Sequence, residues 1–216
     1  MFLGHFAIAL AAKRATPNTS LGTLFAAAQL VDLLWPMFLL LGMEHVAIVP
    51  GITTVTPLDF WDYPITHSLV GSIGWAVLFG VGVYLRTKNR SSALVVGSVV
   101  ASHWFLDLLM HQPDLPLTTN TSAKLGFGMW NNLPLTFLCE FGLFFLGVAI
   151  YMRTTTAIDN IGRWGLLTLL GSLGAIYLAS VFGPPPPNAQ SIAIAGNATW
   201  LFVAWAWWTD RHRGVR

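Results

Sequence analysis

Long apolar stretches recur along the chain and are separated by short polar or proline-containing breaks. A hydrocarbon core about 30 Å thick needs roughly 20 apolar helical residues to cross it. Six stretches meet this length: 22–43, 64–85, 91–112, 133–152, 163–182 and 190–208. A further stretch at 2–13 is too short to span comfortably and predicts a short helix dipping in from one face. The pattern predicts an all-α protein, a polytopic transmembrane helical bundle with six spans plus a short N-terminal helix.

Composition supports a membrane protein. Of the 216 residues, 55% are hydrophobic and 9% are charged, whereas soluble domains carry about 25% charged residues. Pro50-Gly51 and the run Pro184 to Pro187 interrupt helices between the predicted spans. No polar stretch is long enough for a second domain, so residues 1–216 are expected to form a single transmembrane helical domain.

The basic residues predict an orientation. Lys124 lies on one side of the predicted bundle, and the other ten lysine and arginine residues lie on the opposite side: Lys13, Arg14, Arg86, Lys88, Arg90, Arg153, Arg163, Arg211, Arg213 and Arg216. Basic loops face the cytoplasm. The N-terminus and the loops at 44–63 and 113–132 are therefore expected outside, and the C-terminus in the cytoplasm.

Ionisable side chains gather toward the outer face. Such groups are costly within a membrane and usually pair, bind ions or line a cavity. Eight lie within the predicted spans or just beyond the end of 91–112: His5, Asp32, His67, His103, Asp107, His111, Asp114 and Glu140. Asp32 is the deepest, and no lysine or arginine lies at its depth to form an ion pair. A bound cation or a protonated carboxyl remains, and we favour the cation. Four more groups on this side are expected to be solvated: Glu44, His45, Asp59 and Asp62.

His103 and Asp107 form an HxxxD spacing, which places imidazole and carboxylate on one helix face, a turn apart. Divalent cations bind this mixture of nitrogen and oxygen ligands when several helices supply it. We predict one metal ion, or two, with ligands among six residues: His5, Asp32, His67, His103, Asp107 and His111. Together with Asp114, His111 could form a second metal site or contact substrate. The alternative is a buried His–Asp hydrogen bond without a metal.

Plainer roles remain open for single residues. His67 could cap a helix, and His5 could be a surface histidine. His111 and Asp114 could be ordinary loop residues. Glu140 could accept a proton in catalysis or be a protonated structural glutamate.

The remaining distinctive residues add limits. Cys139 is the only cysteine, which excludes an internal disulfide and a thiolate metal cluster, and we expect it to be a packing thiol. Trp130 lies in an outer loop, where it could contact substrate. Four tryptophans before the basic C-terminus are typical of an interfacial aromatic belt: Trp200, Trp205, Trp207 and Trp208.

The sequence resembles the bacterial membrane-bound metal-dependent hydrolases, also described as LexA-binding, inner-membrane-associated hydrolases. The resemblance covers roughly the first 115 residues and rests on Gly4-His5, Asp32 before Trp35-Pro36, Thr66-His67-Ser68-Leu69, and His103 with Asp107. It implies a multi-pass protein of the bacterial inner (cytoplasmic) membrane that binds metal. Where the family often has His-Arg-Gly before Thr-His-Ser, this chain has Asp62-Tyr63-Pro64-Ile65.

Two functional hypotheses follow. The first is a zinc-type metal-dependent membrane hydrolase, with manganese as the other metal considered. Its outward-facing site would cleave a phosphoester or acyl bond of a membrane lipid or amphiphile, with Glu140 or Asp114 as proton acceptor. The second is a small permease or metal-ion carrier that uses the same residues. Haem ligated by histidines is less favoured because it leaves the carboxylates without a role, and no nucleic-acid partner is expected.

The orientation can be tested by cysteine labelling. In a Cys139→Ala background, single cysteines introduced at 118–120 should react with a membrane-impermeant reagent added to intact cells, and cysteines at 86–91 should not. The physical reason is the asymmetry of basic residues across the bilayer. Labelling of 86–91 from outside would invert the orientation and move the proposed site to the inner face.

Overall fold

The computed structural model describes residues 1–120 and 123–216 and shows an all-α fold. Its α-helices are α1 (Leu3–Ala12), α2 (Leu21–Ala28), α3 (Leu30–Leu40), α4 (Pro64–His67), α5 (Leu69–Thr87), α6 (Arg90–Met110), α7 (Leu133–Thr154), α8 (Asn160–Phe182), α9 (Ala189–Asn197) and α10 (Thr199–Asp210). Short antiparallel strands pair in the connections: β1 (His45–Ile48) with β2 (Leu58–Asp62), β3 (Leu115–Pro116) with β4 (Lys124–Leu125), and β5 (Thr155–Ala157) with β6 (Arg213–Val215).

Four helices of the described chain, α5, α6, α7 and α8, are long and apolar enough to cross a membrane. The predicted span at 22–43 is instead a pair, α2 and α3, bent by 57°, which can count as a fifth span. The predicted span at 190–208 is divided at Ala198, where tighter turns replace regular helical bonding: Ala198 N donates to Ala195 O, and Leu201 N donates to Ala198 O. The membrane-protein class is therefore supported, whereas six continuous spans are not confirmed.

The break between α2 and α3 lies at Gln29, whose backbone has φ −101° and ψ 5°. This break places Asp32 in the first turn of α3 rather than in the middle of a continuous helix. Pro36 lies one turn later and has no N–H to donate to the Asp32 carbonyl. The sequence thus weakens regular helix on both sides of the acidic residue.

The short helix α1 lies inside the bundle, packed against α2, α6 and α7. Leu3, Phe6 and Leu10 are fully buried, so other helices cover this short helix. Gly147 of α7 permits the close approach, since a Cβ there would lie 2.5 Å from the carbonyl oxygen of Ala7. Protein contacts on several sides make a spanning length unnecessary for this helix.

A buried ion pair joins four helices near the basic end of the bundle. Lys13 Nζ lies 2.7 Å from Asp210 Oδ2, and both side chains are less than a tenth exposed. The backbone N–H of Leu21 donates to the same oxygen at 3.0 Å, and the Tyr151 hydroxyl donates to Oδ1 at 2.8 Å. Asp210 therefore links α1, α2, α7 and α10.

The loops at the opposite end pack over the bundle and onto each other. Gln112 Nε2 donates to the carbonyl of Ile52 at 2.7 Å, and Thr54 Oγ1 donates to that of Trp130 at 2.6 Å. These bonds join the loop that carries β1 and β2 to the residues that follow α6. The two loops form a roof over the ionisable cluster.

Removing the carboxylate of Asp210 should destabilise the bundle. Asp210→Ala leaves the Lys13 ammonium buried without its partner, and breaking such pairs costs about 3–5 kcal/mol. Unfolding of the purified protein in detergent should therefore begin at a clearly lower temperature. The control is Asp62→Ala, which removes a 2.7 Å pair with His45 in which both side chains are partly exposed, 30% for Asp62 and 46% for His45, and this variant should change little. Equal stability of the two variants would contradict the proposed link.

Candidate metal centre

Five of the six predicted ligands meet near the roofed end of the bundle. They come from four helices: His5 from α1, Asp32 from α3, His67 from α4, and His103 and Asp107 from α6. Two overlapping groups place their ligand atoms within 4.8 Å of one another: His5, His103 and Asp107, and Asp32, His67 and His103. All but Asp32 are almost completely buried. The structure therefore assembles the cluster that the sequence predicted from separate helices.

The HxxxD spacing forms a direct contact on α6, because His103 Nε2 lies 3.0 Å from Asp107 Oδ2. His5 Nε2 lies 3.1 Å from the other oxygen of Asp107, which also accepts a hydrogen bond from the Met1 amino group. The Asp107 side chain is 2% exposed. This carboxylate thus joins α1 to α6 inside the bundle.

A hydrogen bond to the backbone orients His103. Its Nδ1 lies 2.8 Å from the carbonyl oxygen of Ala28, at the end of α2. A carbonyl oxygen can only accept, so Nδ1 carries the proton, and in a neutral ring Nε2 keeps its lone pair. That nitrogen faces two carboxylates, at 3.0 Å from Asp107 and 3.6 Å from Asp32.

A longer relay orients His67. The Thr66 hydroxyl donates to Glu44 Oε2 at 2.7 Å, so its oxygen can accept from His67 Nδ1, also at 2.7 Å. His67 Nε2 is then the lone-pair nitrogen and lies 3.3 Å from Asp32 Oδ1. Bonds of this kind behind a histidine are typical of metal ligands.

The sequence prediction that Glu44 is solvated was wrong. Glu44 is 1% exposed, and its carboxylate accepts from the backbone N–H groups of Ile65 and Thr66 as well as from the Thr66 hydroxyl. The hairpin of β1 and β2 turns the chain so that Glu44 covers the start of α4. Long-range folding of that loop, which the sequence does not encode locally, decides its burial.

Both ligand groups use the same nitrogen of His103. A single imidazole nitrogen has one lone pair and binds one ion. The arrangement therefore fits one metal ion next to His103 better than two separate ions. The other ring nitrogen of His5, Nδ1, has no hydrogen-bond partner within the described part of the chain.

His111, the sixth predicted ligand, is not brought into either group. Helix α6 ends at Met110, and His111 turns away in an extended conformation. A tight turn after His111 brings Asp114 back toward it, so that Asp114 Oδ1 lies 2.9 Å from His111 Nδ1. The Tyr63 hydroxyl donates to the same oxygen at 3.2 Å. Burial, followed by the charge of Asp114, raises the pKa of Tyr63 well above its usual range, which keeps this hydroxyl a donor.

Glu140 lies on α7 beside the cluster and holds the start of α1. Its two carboxylate oxygens each accept a backbone N–H at 2.8 Å, one from Phe2 and one from Gly4. The pairing fixes the first turn of α1, the turn that carries His5. Each oxygen has a second lone pair, so this position leaves the predicted proton-acceptor role open.

A cavity of about 660 Å³ adjoins the cluster. Its polar lining includes Asp32, His67, Asp107 and Glu140, together with His111. Trp130 also lines it, with its ring 4.3 Å from that of His111. The predicted position of Trp130 beside the site is confirmed, and the cluster is reachable by a ligand from this cavity.

Comparisons with known proteins found no relative of this chain. No protein-family model matches the chain, and no curated protein or solved structure matches it. The resemblance to membrane-bound metal-dependent hydrolases therefore stays a prediction from the motifs around His5, Asp32, His67 and His103.

The relay behind His67 can be tested by Thr66→Val, which keeps the shape of the side chain and removes its hydroxyl. The affinity for Zn²⁺, measured by competition with a chromophoric chelator, should fall about 10- to 100-fold, as for other lost bonds behind a metal ligand. The matched control is Thr54→Val, which removes a hydroxyl bonded in the outer loop. An unchanged affinity in Thr66→Val would show that the relay does not support a metal ligand.

Proposed function

We propose that this protein is a metal-dependent, zinc-type membrane hydrolase, with manganese as the other metal that suits the ligands. The proposal of a bound metal rests on one observation. Ring nitrogens of His5, His67 and His103 all face the carboxylates of Asp32 and Asp107. His5 can donate from Nε2 as a neutral ring, since its Nδ1 has no partner among the described residues. His67 and His103 already carry a proton on Nδ1, so without a metal each ring would need a second proton, and these two rings lie 5.5 Å apart. Like charges that close repel strongly, whereas one divalent cation satisfies the same lone pairs.

The topology belongs to the same proposal. We place the protein in the bacterial inner membrane with six crossings, in which α2 with α3 and α9 with α10 each act as one broken crossing. The ten-to-one distribution of basic residues then puts the cluster and its roof on the outer side. Broken helices are tolerated within a membrane where the irregular backbone is covered by protein or lines a cavity.

The residues divide into ligands and proton-transfer groups. Asp32, His67 and His103 hold the metal, with Asp107 and His5 completing the set. The metal would lower the pKa of a coordinated water toward about 7. His111 faces the cavity and accepts a proton, Asp114 positions it through Nδ1, and Glu140 is the alternative acceptor. The bond cleaved is a phosphoester, or alternatively an acyl bond, in a membrane lipid or amphiphile.

The carrier alternative needs a polar path to the opposite face. On the cytoplasmic side of the cluster the described core is apolar and closely packed, including Leu24, Val96, Val99, Phe144 and Leu169. A closed apolar core beneath a site open on one side suits an enzyme better than a carrier.

Hydrolysis and transport make opposite predictions for the purified protein. In detergent, where no gradient exists, we expect cleavage of a member of a phospholipid and phosphoester panel, abolished by chelator and restored by zinc or manganese. His67→Ala and Asp107→Ala should lower metal content and rate together, because each removes a ligand.

His111→Gln distinguishes proton transfer from metal binding, because Glu140 also holds the turn that carries His5 through both of its oxygens. If His111 is the proton acceptor, His111→Gln should lower turnover by about 10²-fold or more while metal content stays the same. The control for transport is Asp32→Asn in sealed vesicles. Metal or solute flux that Asp32→Asn stops, without bond cleavage anywhere in the panel, would exclude the hydrolase in favour of the carrier.

A further inference from the structure

The cavity beside the cluster extends well beyond the ionisable residues. Its volume of about 660 Å³ lies in the range that encloses a whole small ligand. Away from Asp32 its walls are largely apolar and come from the C-terminal half of α8, from α9 and from the first turn of α10: Ile176, Val181, Ile192, Ala195 and Phe202. The cavity therefore has a polar end at the cluster and an apolar end among these helices.

The apolar end is open at the side of the bundle. Ile176 lines the cavity and still exposes 45% of its surface, and Ser180 and Ala195 also line it and are exposed. Helix α9 packs mainly on α3, whereas α8 packs on α10, which leaves the cavity in the gap between α8 and α9. Helix α8 has the length and composition of a membrane span, so in the proposed topology this side opening faces hydrocarbon.

Three buried donors around the cavity have no acceptor among the described residues. They are Gln29 Nε2, Trp35 Nε1 and the Tyr177 hydroxyl, and all three residues line the cavity. Gln29 and Trp35 flank Asp32 at three residues on either side, and Tyr177 lies on α8. Buried donors without acceptors are unfavourable. The donor atoms themselves are closed to water, so small side-chain rotations would be needed to offer them to acceptor oxygens of a ligand in the cavity.

We propose that the cavity binds a phosphate-bearing lipid with a single hydrocarbon chain, an inference that rests on the proposed function and names its substrate class. The phosphate oxygens lie at the polar end, where the metal that Asp32, His67 and His103 would hold offsets the negative charge of the carboxylates. The chain lies along Ile176, Ala195 and Phe202 and enters sideways from the bilayer between α8 and α9. At about 30 Å³ for each water-sized group, the volume holds roughly 20 groups. This is enough for one chain of medium length with its head, but not for two chains held inside the cavity.

Binding of radiolabelled dodecyl phosphate tests this site without relying on turnover. The full chain, loaded with Zn²⁺, is placed in nanodiscs of two-chain phosphatidylcholine, and empty nanodiscs give the background. We expect saturable binding that Ala195→Trp weakens about tenfold or more, because displacing even two methylene groups from an apolar wall loses that affinity. Ala204→Trp is the matched control, an exposed position on α10 that does not line the cavity, and should bind like the parent protein.

Inorganic phosphate separates the head from the chain. It should compete weakly, and to the same extent in the parent protein and in Ala195→Trp, because it uses only the polar end. Equal affinity of the parent and Ala195→Trp for dodecyl phosphate would overturn the proposal. So would competition by inorganic phosphate as effective as that by unlabelled dodecyl phosphate.

A photoreactive dodecyl phosphate with its diazirine at the chain end needs no variant and covers the case in which Ala195→Trp fails to fold. Adducts that excess unlabelled probe suppresses should lie within 176–181 and 189–202. Suppressible adducts confined to lipid-facing positions elsewhere, such as Val77 on α5, would overturn the site.

The test also separates this proposal from the hydrolase. Saturable binding without cleavage would support the lipid site and count against hydrolysis. Cleavage of a soluble phosphoester at equal rates by the parent and Ala195→Trp, without saturable dodecyl phosphate binding, would support the hydrolase and overturn the lipid site.

Discussion

The contact between imidazole lone pairs and carboxylate oxygens around His103 is the constraint on which the arrangement of this protein depends. The carbonyl of Ala28 fixes the proton of His103 on Nδ1, so Nε2 meets Asp107 and Asp32 as an acceptor facing acceptors. Such an arrangement is unfavourable inside a protein unless a cation or additional protons compensate it. The bundle nevertheless brings together residues from four helices to build this arrangement.

Much of the irregular backbone positions residues of that cluster. The break at Gln29 turns α3 so that Asp32 reaches His67 and His103. The four-residue helix α4 ends at His67, and Ser68 caps the next helix by accepting from Gly71 N. Helix α1 is held by Glu140 at its first turn. Each break would weaken an isolated helix, and each is compensated by hydrogen bonds to neighbouring elements.

The two ends of the bundle have different tasks. At the basic end, Asp210 pairs with Lys13 and also accepts from the Tyr151 hydroxyl and the Leu21 backbone N–H, so its hydrogen-bonding positions are largely used within the protein. At the roofed end, Gln29, Trp35 and Tyr177 keep donors without acceptors beside a cavity. Polar groups that all have hydrogen-bond partners stabilise a fold, whereas buried groups without partners need an explanation, such as a ligand that approaches them.

The sequence by itself indicated the membrane class and the four long helices, and it placed His103 and Asp107 on one helix face, because apolar length and the i, i+4 spacing are local properties of a helix. It predicted that His5, Asp32 and His67 join them from their similar depths in the predicted bundle, and the tertiary structure brings these residues together. Only the tertiary structure decided that 190–208 divides at Ala198, that α1 lies inside the bundle and that Glu44 is buried behind Thr66. It also separated His111 from the ligands and paired it with Asp114. These outcomes depend on which helices pack together and on how the outer loops fold back, and contacts between residues distant in the chain leave no periodic signal in the sequence.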